Sequence, residues 1–121
     1  MIGCAGAGVR TILIALVLLA ACGGSESVSC PNDLPQGCPS PVPSYRNQVA
    51  AVIANRCGSC HAPGGQEASL PFTTYPQVFG SRSTILNQVY HCVMPPAGNP
   101  APDAQQRALL LGWLVCGAPD N

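Results

Sequence analysis

Eight cysteines in 121 residues constrain this chain more than any other feature. At that density the thiols cannot be incidental: they bridge, hold a metal or cofactor, or carry a modification, and the fold has to gather them accordingly. The length allows one small domain. Only 8% of residues are charged, five basic against five acidic, and every basic one is arginine. No basic stripe exists to neutralise a phosphate backbone, so nucleic-acid binding is excluded as a function class.

The N-terminus removes some cysteines from the structural count. Arg10 precedes an almost wholly apolar run from Thr11 to Ala21, which reads as an export signal over residues 1–21. About 11 apolar residues fall well short of the ~20 that a membrane-spanning helix needs. The junction Leu19-Ala20-Ala21-Cys22 resembles the lipobox of bacterial lipoproteins. That resemblance implies cleavage before Cys22, a lipid on its thiol and loss of Cys4 with the signal. Gly23, in place of Asp, favours the outer membrane over the inner. The plainer alternative is a secretory signal cut near Ala20 or Ala21. On the lipoprotein reading the exported chain keeps four arginines against five acids, a formal charge of 4 − 5 = −1.

Residues 22–43 are rich in Gly, Ser and Pro, with Pro31, Pro35, Pro39, Pro41 and Pro43 and few apolar side chains. This reads as an extended tether that holds a domain off the membrane. The domain, residues 44–121, is all-α. Ser44 caps a helix in which Tyr45, Val49, Val52 and Ile53 share a face, running to about Cys57. A short turn starts at Thr74, tolerates Pro76 and stops at Gly80. Ser81 or Ser83 opens a segment with Ile85, Val89, Cys92 and Val93 on one face, ended by Pro95 and Pro96. After a loop from Met94 to Pro102, Asp103 and Gln106 form a capping box, Leu109, Leu110, Trp113 and Leu114 make an apolar stripe, and Gly117 is placed to end the helix. There is no strand alternation and no internal repeat. Three or four helices this short bury too little surface to fold comfortably unaided.

Cys57-Gly58-Ser59-Cys60-His61 closes the first of these helices. C-x-x-C-H is the attachment pattern of c-type haem: two thiols three apart can reach the two vinyl groups on one porphyrin edge, and the next residue offers its imidazole to the iron. The competing readings of C-x-x-C lack their contexts. A thioredoxin-like pair needs βαβ surroundings, a zinc site needs a second ligand pair, and a Cys57–Cys60 disulfide closes a tight ring. Met94, in His91-Cys92-Val93-Met94-Pro95-Pro96, is the sole methionine after the signal.

With these pieces in this order, residues 44–121 resemble a class I cytochrome c, closest to small bacterial single-haem domains with an M-P-P loop. The resemblance implies one covalent haem c held by Cys57 and Cys60, His61 as proximal and Met94 as distal iron ligand, and the last helix crossing the first. His91 is the rival distal ligand, with a surface or propionate contact as its alternative role, and Met94 could instead be core filler. The carbonyl that orients His61 is open between His61-Ala62-Pro63-Gly64-Gly65 and Leu70-Pro71-Phe72. The lysine ring that mitochondrial relatives use for docking is absent, so partners cannot be inherited from them.

Four cysteines remain, and three pairings are possible. The local choice is Cys30 with Cys38, closing a loop in the tether, and Cys92 with Cys116, pinning the Met94 loop to the last helix. Closing about 25 residues in the second case stabilises by roughly 3.5 kcal/mol. The expected protein is a monomeric, lipid-anchored extracytoplasmic electron carrier with redox protein partners, and not an enzyme, since no acid, base or nucleophile constellation occurs. The alternatives are a haem-based sensor of a diatomic ligand with a labile Met94, and a non-haem exported module stapled by disulfides.

Overall fold

The computed structural model describes residues 29–121. The expected signal at 1–21 and the lipidation site Cys22 lie outside the described residues. Within them the chain is helical, with no strand. A π-helical turn, Tyr45–Val49, runs into α1, Ala50–Arg56; α2 is Tyr75–Gly80, α3 is Arg82–Tyr90 and α4 is Ala104–Val115.

Local chemistry sets these limits. The Ser44 hydroxyl accepts the Asn47 amide at 3.2 Å and donates to the Asn121 carbonyl at 2.9 Å, so Asn121 helps hold the cap of the helical stretch that opens at Tyr45. The opening turn is wide because Val49 and Ala50 bond five residues back, to Ser44 and Tyr45. At α4 the expected capping box is present: Asp103 accepts the Gln106 amide at 2.8 Å and the Gln106 side chain accepts the Asp103 amide at 3.1 Å. Gly117 follows α4 with φ +85°, the left-handed conformation that glycine adopts without steric cost.

The core joins the first helical stretch to α4. Tyr45, Val49, Ile53, Val78, Ile85, Val89, Leu110, Leu111, Trp113 and Leu114 form one buried cluster. Tyr45 lies 5.3 Å from Trp113 between ring centroids, and the Trp113 indole donates to the Pro119 carbonyl at 2.9 Å. Two expectations shift here. First, α3 ends at Tyr90, before Pro95: Cys92 has φ +56°, and both Cys92 and Val93 are exposed, so neither belongs to the buried face of Ile85 and Val89. Second, α4 is buried nearly all round from Leu110 to Leu114, with Leu111 fully inside and Leu109 only partly so. A helix apolar on every side needs cover on every side.

That cover is the segment expected to stand off as a tether. From Cys30 onward it lies along α4. Asp33 pairs with Arg107 at 2.7 Å, Leu34 packs on the core cluster, and Pro39 and Pro43 rest on Gly112, where an added Cβ would come within 3.0 and 3.4 Å of their ring carbons. A mid-helix glycine weakens a helix by about 1 kcal/mol relative to Ala, and here it admits the strap. Gly112→Val pushes a branched side chain into that contact and is expected to cost ~1–3 kcal/mol in urea denaturation. An unchanged midpoint would show that the strap does not seat on Gly112.

The disulfides are Cys30–Cys92 and Cys38–Cys116, which corrects the expected Cys30–Cys38 and Cys92–Cys116 pairing. The reason is geometric. Arg107 bonds the last carbonyls of α3, so Cys92 sits beside the early part of α4. Cys116 is nine residues further along, from 107 to 116, or about 13 Å at 1.5 Å per residue, beyond the ~7 Å between Cα atoms that a disulfide tolerates. The extended strap spans that gap and staples to both ends of it. Two bridges also fit an oxidising, extracytoplasmic compartment. No helix among the described residues is long and apolar enough to cross a membrane.

The Asp33–Arg107 pair makes the strap acid-sensitive. Hydrogen bonding from Arg107 holds the Asp33 carboxyl below its ordinary value, against an opposing effect of burial. A depressed folded-state pKa contributes stability that is present above the unfolded value, about 4, and is lost as pH falls through the folded value. Stability should therefore drop below about pH 4, and Asp33→Asn should flatten that drop in a pH series of denaturation midpoints. An equally steep drop in the variant would assign it to other carboxylates.

Candidate functional site

Helix α1 delivers Cys57 as its C-cap, and the chain keeps turning: the Cys60 and His61 amides both bond the Cys57 carbonyl, at 3.2 and 2.9 Å. The C-x-x-C-H segment is thus a compact coil that continues the helix. Cys57 and Cys60 are both free thiols, in contrast to the four bridged cysteines. Burial, with a smaller effect from Cys60, pushes the Cys57 thiol up to about 11. It is a neutral thiol at pH 7, unlike the depressed-pKa nucleophile of a thioredoxin-like pair.

His61 is fixed from three directions. Its Nδ1 lies 2.8 Å from the Leu70 carbonyl. A carbonyl only accepts, so Nδ1 carries a proton in this bond, which leaves Nε2 as the ring nitrogen turned away from Leu70. The ring stacks on Phe72 at 4.4 Å between centroids, and the Phe72 amide bonds the His61 carbonyl at 2.8 Å. Of the two segments open at the sequence level, Leu70-Pro71-Phe72 is the one that orients the imidazole, while Ala62–Gly65 forms a tight loop before it. Within that loop Gly65 matters: a Cβ there would collide with the Cys60 carbonyl and lie 2.8 Å from the Ser59 carbonyl. Both obstacles are backbone and cannot turn aside, so Gly65→Ala is expected to displace Cys60 and His61 and to cost ~1–3 kcal/mol. Equal thermal stability of variant and parent would contradict this packing.

A cavity of ≈ 250 Å³ opens between this segment, α3 and the loop after α3. Cys57, Cys60, His61 and Met94 all line it. Leu70, Phe72, Ile85 and Val89 supply apolar wall, and Arg56, Glu67 and Gln88 stand among its polar lining residues. Met94 reaches it from the loop, with its amide bonded to the Gln88 carbonyl at 3.1 Å; the residue is 36% exposed and so is not core filler. His91 is exposed and does not line the cavity.

Two thiols, an imidazole and a thioether thus line one largely apolar pocket, a donor set whose chemistry suits an iron macrocycle. Among the described residues no three His, Cys, Asp or Glu side chains gather as a metal cluster. Sequence reasoning passed over Arg107 and Gly65. Arg107 had a readable signal, a lone cation in register with Leu110, Leu111 and Leu114 at i+3, i+4 and i+7. Gly65 had none.

No family model, no curated protein and no solved structure matches this chain.

Proposed function

We propose that the protein is an extracytoplasmic single-haem c-type cytochrome that passes single electrons between redox proteins, anchored to a membrane by lipid on Cys22. One observation carries this reading: Cys57, Cys60, His61 and Met94, 37 residues apart at their extremes (57 to 94), line the same cavity. The cytochrome-like resemblance of residues 44–121 fits the packing of the first helical turn on α4 through Tyr45 and Trp113.

The residues divide the work. Cys57 and Cys60 would hold the group covalently as thioethers, so that it would stay when a small domain breathes. His61 would present Nε2 while Leu70 and Phe72 fix its plane. Met94 would offer its thioether to the group from the loop. When bound, haem would supply one-electron chemistry, and a thioether ligand would raise its potential relative to two imidazoles. Leu70, Phe72, Ile85 and Val89 give the pocket apolar lining, of which Ile85 and Val89 are buried.

The protein expressed with haem-maturation machinery and denatured on a gel should stain for haem peroxidase activity, and ferrous wild type should resist CO. An unstained band would overturn the haem reading and leave a disulfide-stapled module. Staining with rapid CO binding would move the function from carrier to sensor.

A further inference from the structure

Arg107 is the one charged side chain buried among the described residues, at 8% exposure. Placing a guanidinium inside a small helical domain is costly, and a buried ion pair is often no better for stability than apolar packing. Such a group invites the question of what it holds in place. Its Nη1 donates to the Val89 carbonyl at 2.6 Å and its Nη2 to the Tyr90 carbonyl at 3.0 Å. The rest of the fork grips Asp33, Nε to one carboxylate oxygen at 2.7 Å and Nη2 to the other at 2.9 Å.

Those two carbonyls belong to the last turn of α3, where the Val89 carbonyl also accepts the Cys92 amide at 3.1 Å. A cation there is also favoured by the helix dipole. Directly beyond, the Val93 and Met94 amides both fold back onto the Gln88 carbonyl, at 2.9 and 3.1 Å. Cys92, between them and the helix, is tied to Cys30, and the Tyr90 hydroxyl donates to the Asn32 side chain at 2.6 Å. The root of the Met94 loop is therefore clamped by the strap and by α4, while Gln88, Val89 and Met94 line the cavity on the other side.

We infer that Arg107, acting with Asp33, is a positioning residue for Met94: it locks the end of α3 so that the thioether is held at the cavity shared with His61. The inference rests on the haem reading for what Met94 ligates, but the clamp itself is a property of this chain. Arg107→Lys keeps the charge and loses the fork, since an ammonium cannot bond a carboxylate bidentately and reach two carbonyls at once.

The test compares full-length wild type, Arg107→Lys and Val78→Ala, a core truncation in α2 that does not line the cavity. Amide hydrogen exchange is read at Val93 and Met94, and imidazole is titrated against the haem-loaded protein as a competitor for the Met94 position. Arg107→Lys should speed exchange at those two amides selectively and tighten apparent imidazole affinity by about tenfold, because that affinity scales with the fraction of molecules whose loop is open. Val78→Ala should loosen the whole domain evenly. The inference is overturned if Arg107→Lys behaves like Val78→Ala, with no selective change at Val93 and Met94 and no tighter imidazole binding. Should no haem attach, the proposed function fails and the exchange result alone decides the clamp. Where Arg107→Lys does not fold, Asp33→Asn enters the same comparison with the same two outcomes.

Discussion

Cys38→Ser combined with Cys116→Ser should bring the domain close to unfolding. That bridge joins residues 78 apart in sequence, and the chain-entropy model assigns a loop of this size about 4.5 kcal/mol. Small domains hold only ~5–15 kcal/mol in total, and this one buries a modest core around Trp113 and Leu110. Urea denaturation of the double variant under oxidising conditions should show most of the stability gone; a loss under ~1 kcal/mol would mean that the strap is held by its other contacts alone. A non-reducing peptide map should join the Cys30 peptide to the Cys92 peptide. Recovery of a Cys30–Cys38 peptide would contradict the arrangement along α4.

Cys57→Ser with Cys60→Ser should abolish covalent attachment altogether, so that denaturation strips the protein of haem and the stained band disappears. Met94→Ala should act differently. On the proposed reading covalent haem should remain, ferrous protein should bind CO, and the potential should fall by a sizeable part of the ~0.8 V that axial ligands span. The contrast between the two variants separates holding the group from tuning it. If Met94→Ala leaves the oxidised and reduced spectra and the potential unchanged, Met94 is not a ligand.

Much of the helical layout was legible in the sequence because its signals are local. The Ser44 cap, the Asp103–Gln106 box, Pro76 near the start of α2 and Gly117 after α4 each act within a few residues, and each stands where its chemistry places it. The C-x-x-C-H segment was equally readable, as five adjacent residues. What was not legible depends on pairing across the chain. Nothing in Pro31–Pro43 announces that it lies along α4, since its seat is a missing side chain, Gly112, and its lock is an arginine 74 positions from Asp33. The cysteine pairing followed the same logic: proximity in sequence favoured Cys30 with Cys38, whereas the length of α4 decides it. The carbonyl that orients His61 lay nine residues downstream in a segment with no helical or strand pattern. The early end of α3 came from Cys92 turning into a left-handed conformation, before the prolines could act.

The eight cysteines thus separate by environment. Four are bridged along the strap, two are free thiols at a cavity shared with His61 and Met94, and the two nearest the N-terminus lie outside the described residues. The central claim is that the two free thiols bind one haem. An intact-mass measurement on the exported protein, produced with haem-maturation machinery and denatured without reductant, tests it most directly. The account predicts a gain of one haem, with the four cysteines of the two bridges oxidised. A mass equal to the polypeptide alone, with Cys57 and Cys60 open to alkylation, would contradict it.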